Sequence, residues 1–128
     1  MIPFCQAEGI GLIPWSPLAR GVLAGNRNTG TVRSKTDDFA QRLYGSTVEA
    51  DERVIERVRS LATARGVAPA RIALAWLLHK PGITAPIVGA SKTLHLEDAL
   101  GALNIKLKPE EMKSLEEPYV PHAVVGHE

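Results

Sequence analysis

Two short apolar runs limit what this chain can fold into. The first is Ile-Gly-Leu-Ile at residues 10–13, and the second is Ala-Pro-Ile-Val at residues 85–88. Both runs are too short for helices and neither alternates polar with apolar residues, which predicts parallel strands covered on both faces. Two strands cannot form a sheet that stands alone, because both would be edges. The chain is therefore interpreted as a piece of a larger α/β fold.

Helical patterns fill the interval between the two runs and the stretch after the second. A capping box that begins at Ser46 opens one helix, which ends before Gly66. Residues 69–80 form a second, almost entirely apolar helix that we expect to be deeply buried, and to lose its cover if half of the fold is absent. Further helices are predicted over residues 93–103 and 109–116. This βαβα order, with right-handed crossovers, is typical of a parallel sheet flanked by helices.

Composition excludes several classes of protein. Fifteen basic and fourteen acidic residues give a net charge of +1, which offers no electrostatic basis for binding nucleic acid or a membrane surface. The single cysteine, Cys5, has no internal disulfide partner, as expected in a reducing cytoplasm. No apolar run approaches the ~20 residues of a membrane-spanning helix. The four histidines show no metal-ligand spacing. We expect a soluble, cytoplasmic protein without a metal site.

The segment after the first run carries candidate chemistry. Residues 15–21 read Trp-Ser-Pro-Leu-Ala-Arg-Gly. An aromatic ring at the carboxyl end of a barrel strand can stack on a flat cofactor ring. The loop after Trp15 offers the Ser16 hydroxyl, backbone amides and Arg20 to a diphosphate. Taken alone, the segment is read more simply as a core aromatic residue followed by a turn.

The segment after the second run, Gly89-Ala90-Ser91-Lys92, opens a helix. A small residue, a hydroxyl, a lysine and a helix amino terminus together make an anion site. The simpler alternative is a helix capped by Ser91 beside a solvated Lys92. The two segments together favour a phosphate-bearing cofactor, because phosphate sites of α/β barrels often lie between the loops after strands 7 and 8.

Three stretches of this sequence resemble the aldo-keto reductase family. Residues 13–21 are similar to its seventh-strand cofactor loop, residues 72–78 to its buried seventh helix, and residues 86–92 to its eighth-strand loop. The ending, residues 117–126, resembles that of a bacterial subgroup related to potassium-channel β subunits. The resemblance implies that residues 1–128 are the C-terminal portion of a (β/α)8 TIM barrel, strands 7 and 8 with flanking helices.

The resemblance also implies a site for NADP(H). Trp15 matches the aromatic residue that stacks on the nicotinamide, and the diphosphate loop is matched by Ser16, Pro17, Leu18, Ala19 and Gly21. The loop that holds the adenosine 2′-phosphate is matched by Gly89, Ser91 and Lys92.

Three further positions complete the implied cofactor site. His95 and Asp98 match positions near adenine, whereas Ala99 stands where an asparagine is common. Arg33 reaches the cofactor from the long polar stretch of residues 24–46, with Lys35 as its rival. A loop of that length is usually functional or disordered.

The implied activity is NADPH-dependent reduction of an aldehyde or ketone to an alcohol, and its reverse. The family's catalytic aspartate, tyrosine, lysine and histidine have no match in these 128 residues, so no catalytic residue is assigned and the chain alone is expected to be inactive. Met1 resembles an internal methionine of the sixth helix, which indicates a fragment, a truncated product or a mis-assigned start. The alternatives are a non-catalytic NADP-binding or interaction module, and a remnant without function.

Overall fold

The computed structural model describes residues 1–25 and 48–121. Its helices, in chain order, are α1 (Ile2–Ala7), a 3-10 helix (Ala19–Ala24), α2 (Val48–Arg65), α3 (Pro69–Leu78), α4 (Thr93–Gly101), a 3-10 helix (Ala102–Asn104) and α5 (Pro109–Glu116). The four predicted helices are confirmed as α2 to α5. Helix α1 and the first 3-10 helix were not predicted, and Ser46 of the predicted capping box lies outside the described residues.

The core lies where α2 packs against α3 and α5. Helix α3 buries Ile72 and Ala75 completely, which confirms the prediction of a deeply buried helix. Its small and branched residues are apolar on nearly every side, so it can be enclosed by several elements at once. The buried cluster consists of Val58, Ala62, Ile72, Ala73, Ala75, Leu107 and Leu115.

The chain turns sharply between α2 and α3. Gly66 follows α2 in a left-handed conformation, with φ of 64°, as predicted for the end of that helix. The axes of α2 and α3 are bent by 105° at this turn.

No single helix in the described part of the chain is long and apolar enough to cross a membrane, and only the bent α2–α3 pair meets that test by length and composition.

The two predicted strands run side by side and parallel, but the described residues contain no continuous strand. The pairing consists of two isolated bridges, Leu12 with Ile83 and Trp15 with Ile87. Their offsets differ by one, since 83 − 12 is 71 and 87 − 15 is 72, so the second segment has one extra residue between the bridges. Proline has no N–H to donate, and Pro14 and Pro86 interrupt the ladder. Neither segment is paired with a further strand among the described residues.

Large apolar side chains remain exposed on two surfaces of the described chain. On the paired segments, Ile13 is 63% exposed and Trp15 is 65% exposed. On and just after α4, Leu94 is 60% exposed and Leu103 is 64% exposed. The amphipathic pattern predicted for α4 therefore exists, but its leucine face has no cover here.

Candidate functional site

The two predicted cofactor loops leave neighbouring points of the paired segments. The Ile87 N–H donates to the carbonyl oxygen of Pro14 at 2.9 Å, and Trp15 is bridged to Ile87 in parallel orientation. The chain then continues into residues 16–21 on one side and residues 88–92 on the other. Because the pairing is parallel, both loops emerge at the same edge. The structure thus brings together the aromatic and the anion-binding segments, which lie far apart in the sequence.

The loop after Trp15 is wound into left-handed backbone conformations. The φ angles are 52° at Ser16, 48° at Ala19, 55° at Arg20 and 97° at Gly21. Two tight turns close within it, since Ala19 N–H donates to Ser16 and Gly21 N–H donates to Leu18, both at 3.0 Å. Each non-glycine residue in this conformation costs roughly 1–2 kcal/mol. Such conformations cluster where a protein grips a ligand, as the predicted diphosphate loop would.

The same loop is anchored to the core by apolar side chains. Leu18 and Leu23 pack against the buried cluster, and the 3-10 helix Ala19–Ala24 contacts α3. The Trp15 ring, by contrast, projects from the surface and takes no part in that cluster. The alternative in which Trp15 is a core aromatic residue does not hold for this chain.

The second loop leads directly into α4. Lys92 occupies the N-cap position, and no side chain caps that end of α4. The Ser91 hydroxyl oxygen lies 3.5 Å from His95 Nδ1 instead. The alternative in which the Ser91 side chain caps α4 is therefore not observed. The His95 N–H donates to the Lys92 carbonyl oxygen at 3.0 Å, whereas the Thr93 and Leu94 N–H groups before it, with Lys92 beside them, could bind an anion.

Asp98, predicted to lie near adenine, has an ion-pair partner. Arg71 Nε of α3 donates to Asp98 Oδ1 at 2.8 Å. Sequence reasoning missed Arg71. The sequence did contain a signal for this pair, because Arg71 is the one charged residue in α3 and a charge on a buried apolar helix needs a partner.

Two further predicted contributors fall on residues that the structure leaves undescribed. Arg33 and its rival Lys35 both lie outside the described residues. Within the described ranges, no group of three or more His, Cys, Asp or Glu side chains could hold a metal ion.

A separate open groove of about 600 Å³ lies between the end of α3 and α5. Its wall includes Glu116, whose Oε1 accepts from Lys80 Nζ at 2.7 Å and from Trp76 Nε1 at 2.8 Å. These two donors lower the pKa of the Glu116 carboxyl, Lys80 contributing most. The groove shares no residue with the predicted cofactor site, and the Glu116 contacts join α3 to α5.

Known proteins match nearly the whole chain. A model of the aldo/keto reductase family matches residues 1–119. A Schizosaccharomyces pombe protein named as an aryl-alcohol dehydrogenase is 48% identical, the match covering 98% of this chain and 35% of that protein. The versiconal hemiacetal acetate reductase of Aspergillus parasiticus is 42% identical, with coverages of 97% and 36%.

A solved structure matches as well. The crystal structure of a thermostable aldo-keto reductase, in complex with the inhibitor epalrestat, superposes with a TM-score of 0.63 at 30% identity. That match covers 91% of this chain and 32% of the other. The chain thus spans about a third of the length of each of these relatives. Its fold class is α/β, and the chain belongs to the aldo/keto reductase family.

Proposed function

We propose that this chain supplies the NADP(H)-binding part of an aldo-keto reductase that reduces aldehydes or ketones to alcohols. One observation carries the proposal: the parallel pairing of Trp15 with Ile87 sets the aromatic loop beside the Gly89–Lys92 loop. In this reading the paired segments are strands 7 and 8 of a barrel, and both loops lie at its carboxyl-terminal face, where such enzymes bind ligands. The names of the two fungal relatives, a dehydrogenase and a reductase, agree with this chemistry.

Each loop has a distinct task in the proposed site. The exposed Trp15 ring stacks on the nicotinamide, which supplies the hydride when the cofactor is bound. The wound loop from Ser16 to Gly21 presents its backbone to the diphosphate, and its anchoring through Leu18 keeps that backbone in place. The proton for the carbonyl oxygen comes from a residue outside these 128, since no part of the sequence matches the family's catalytic tetrad.

The second loop accounts for a preference for NADPH over NADH. Ser91 supplies a hydroxyl, Lys92 a positive charge, and the start of α4 the N–H groups of Thr93 and Leu94. A phosphate at a helix amino terminus is stabilised by these groups and by the helix dipole. NADH lacks the 2′-phosphate, so it gains nothing from Lys92.

The resemblance of residues 117–126 to a bacterial subgroup related to potassium-channel β subunits supports one alternative. In that alternative the chain belongs to a module that binds NADP(H) without turning a substrate over. The two candidates differ in turnover and not in cofactor binding, so one experiment separates them.

The test protein is the full 128-residue chain joined to the part of the Aspergillus parasiticus reductase that lies outside its match to this chain. We call it the completed protein. The proposal expects saturable NADPH binding and reduction of a simple aldehyde, both abolished when residues 15–21 and 89–92 are replaced by glycine-serine linkers of equal length. Because the aldehyde-reducing residues of the completed protein come from the Aspergillus parasiticus reductase, its turnover tests whether this chain holds the cofactor in a position for hydride transfer. NADPH binding without aldehyde reduction would mean that the chain binds the cofactor without placing it for transfer, which favours the non-catalytic module. Absence of NADPH binding in a folded completed protein would refute both.

A further inference from the structure

Helix α4 is attached to the rest of the described chain by a small and polar face. Its three leucines are between 47% and 60% exposed, and none of its residues is fully buried. The partly buried positions of α4 are Asp98, Ala99 and Gly101. Apolar packing therefore contributes little to the placement of α4 in this chain, and the contacts of these three residues decide where the helix lies.

Arg71 provides the polar part of that attachment. Its Nε atom lies 2.8 Å from Asp98 Oδ1, and the two side chains are 33% and 17% exposed. The guanidinium group lies directly against Gly101, where an added Cβ would come within 2.8 Å of Cζ and Nη1. Gly101 has ordinary helical angles, φ −60° and ψ −27°, so its missing side chain serves the approach of Arg71 and not the backbone conformation. A charge-assisted hydrogen bond in such a partly buried contact is stronger than one in open solvent.

Helix α3 is the common support of both cofactor loops. The 3-10 helix that follows the Trp15 loop contacts α3, and α4 contacts α3 as well. Residues Ile72 to Ala75 make α3 the most enclosed helix described here. A link from α3 to α4 therefore fixes the second loop relative to the first.

We propose that Arg71 is a positioning residue of the cofactor site, which acts by holding Asp98 and thereby orienting α4. The inference rests on the proposed function, because the loop it orients is the one assigned to the 2′-phosphate. Helix α4 is nine residues long, and Ser91 and Lys92 immediately precede it. A rotation of α4 about its contact with α3 would move both residues away from the phosphate position.

Three substitutions in the completed protein separate this role from a merely structural one. Arg71→Met removes the charge and keeps most of the side-chain length. Gly101→Ala displaces the guanidinium group while every charge stays in place. Arg71→Lys is the conservative variant, able to restore the ion pair. Alanine favours helix over glycine, so Gly101→Ala should improve α4 unless the contact with Arg71 matters.

Two readouts are measured together: the Kd for NADPH, and amide hydrogen exchange in α4 compared with α2. Arg71→Met and Gly101→Ala should each raise the Kd for NADPH about fivefold, the size of coupling expected between packed side chains. Exchange should become faster in α4 and stay unchanged in α2. Arg71→Lys should recover most of the NADPH affinity.

The outcomes distinguish this inference from the proposed function. If the unsubstituted completed protein fails to bind NADPH, the proposed function fails and the inference fails with it. If it binds NADPH but Arg71→Met and Gly101→Ala bind equally well, only the inference is overturned. Faster exchange in α4 without loss of NADPH affinity would also overturn it, because Arg71 would then stabilise a helix without orienting the site.

Discussion

At the scale of single residues, substitution of Lys92 tests most directly whether the site prefers NADPH to NADH. Lys92 is the N-cap residue of α4, at the end of the helix where the proposed 2′-phosphate would lie. In the completed protein, Lys92→Ala should weaken NADPH binding roughly tenfold, the low end of a charged hydrogen bond because the site is exposed. NADH affinity should hardly change.

Isothermal titration of both cofactors measures this difference. Lys113→Ala is the matched control, since it removes an exposed lysine of α5 that lies outside the proposed site. It should leave both affinities unchanged. An equal loss of NADPH and NADH affinity in Lys92→Ala would contradict the assignment of Lys92 to the 2′-phosphate.

Trp15 offers an optical test at the same scale. If its exposed ring stacks on the nicotinamide, NADPH should quench tryptophan emission, and Trp15→Ala should abolish most of the quenching that this chain contributes. Trp76 is the internal control. It is half-buried, and it donates to Glu116 at 2.8 Å in the α3–α5 contact, so Trp76→Phe should leave quenching intact. Quenching that survives in Trp15→Ala would remove Trp15 from the nicotinamide site.

At the scale of elements, one ion pair joins the end of α2 to the start of α5. Arg65 Nε donates to Glu111 Oε1 at 2.9 Å, and the Lys108 N–H donates to Glu111 Oε2 at 2.7 Å. Arg65 chiefly, and the Lys108 N–H next, lower the pKa of the Glu111 carboxyl. Because the folded pKa lies below the unfolded value of about 4.3, the carboxylate stabilises the fold above that pH and loses its contribution as the pH falls through the folded pKa.

We therefore expect Glu111→Gln to lower the free energy of unfolding by about 1 kcal/mol at neutral pH, since the pair is only partly shielded from water. The difference from the unsubstituted protein should vanish in acid, as Glu111 becomes protonated there. Urea unfolding of the completed protein at pH 7 and at a series of progressively more acid pH values measures it. Glu110→Gln removes a carboxylate from the same turn and keeps the Arg65–Glu111 pair. A Glu111→Gln deficit that persists undiminished in acid would rule out this origin.

Local sequence signals predicted the starts of the helices better than the pairing of the strands. Pro69 and Pro109 begin α3 and α5, as predicted, because proline suits the first helical turn. The strands were predicted less well. The two apolar runs do lie side by side and parallel, as predicted. The one-residue shift in register between the two bridges depends on how two distant segments meet. No local sequence pattern encodes that shift.

At the scale of the whole molecule, two apolar surfaces are left uncovered by the part of the chain that the structure describes. We predicted that α3 would be the clearest liability of the isolated chain, but α2 and the two 3-10 helices already pack against it. The exposed apolar surface lies instead on the paired segments, on α4 and on the 3-10 helix after it, where Ile13, Trp15, Leu94 and Leu103 are each at least 60% exposed. Each large side chain left in water forfeits roughly 1.5–3 kcal/mol, against a typical domain stability of ~5–15 kcal/mol.

We expect the isolated 128-residue chain to self-associate or to remain loosely packed, without carbonyl reduction above background. Exposed apolar patches and unpaired strand edges favour association. Sedimentation velocity and a thermal melt would decide the point, with the completed protein as the control that should sediment as a single species. A monodisperse monomer of the isolated chain that melts in one sharp transition would contradict the expectation.

The sequence by itself determined the order of helices α2 to α5, the two loops of the proposed cofactor site, and the family. These follow from short-range signals: a proline or glycine at a helix end, an apolar period, and a loop motif that is contiguous in the chain. The tertiary structure alone decided that Arg71 pairs with Asp98 across 27 residues of sequence, that Trp15 projects from the surface, and that α4 exposes its leucines. Partners and burial are set by contacts between distant segments, and a side chain's neighbours along the chain do not reveal which segment it will meet.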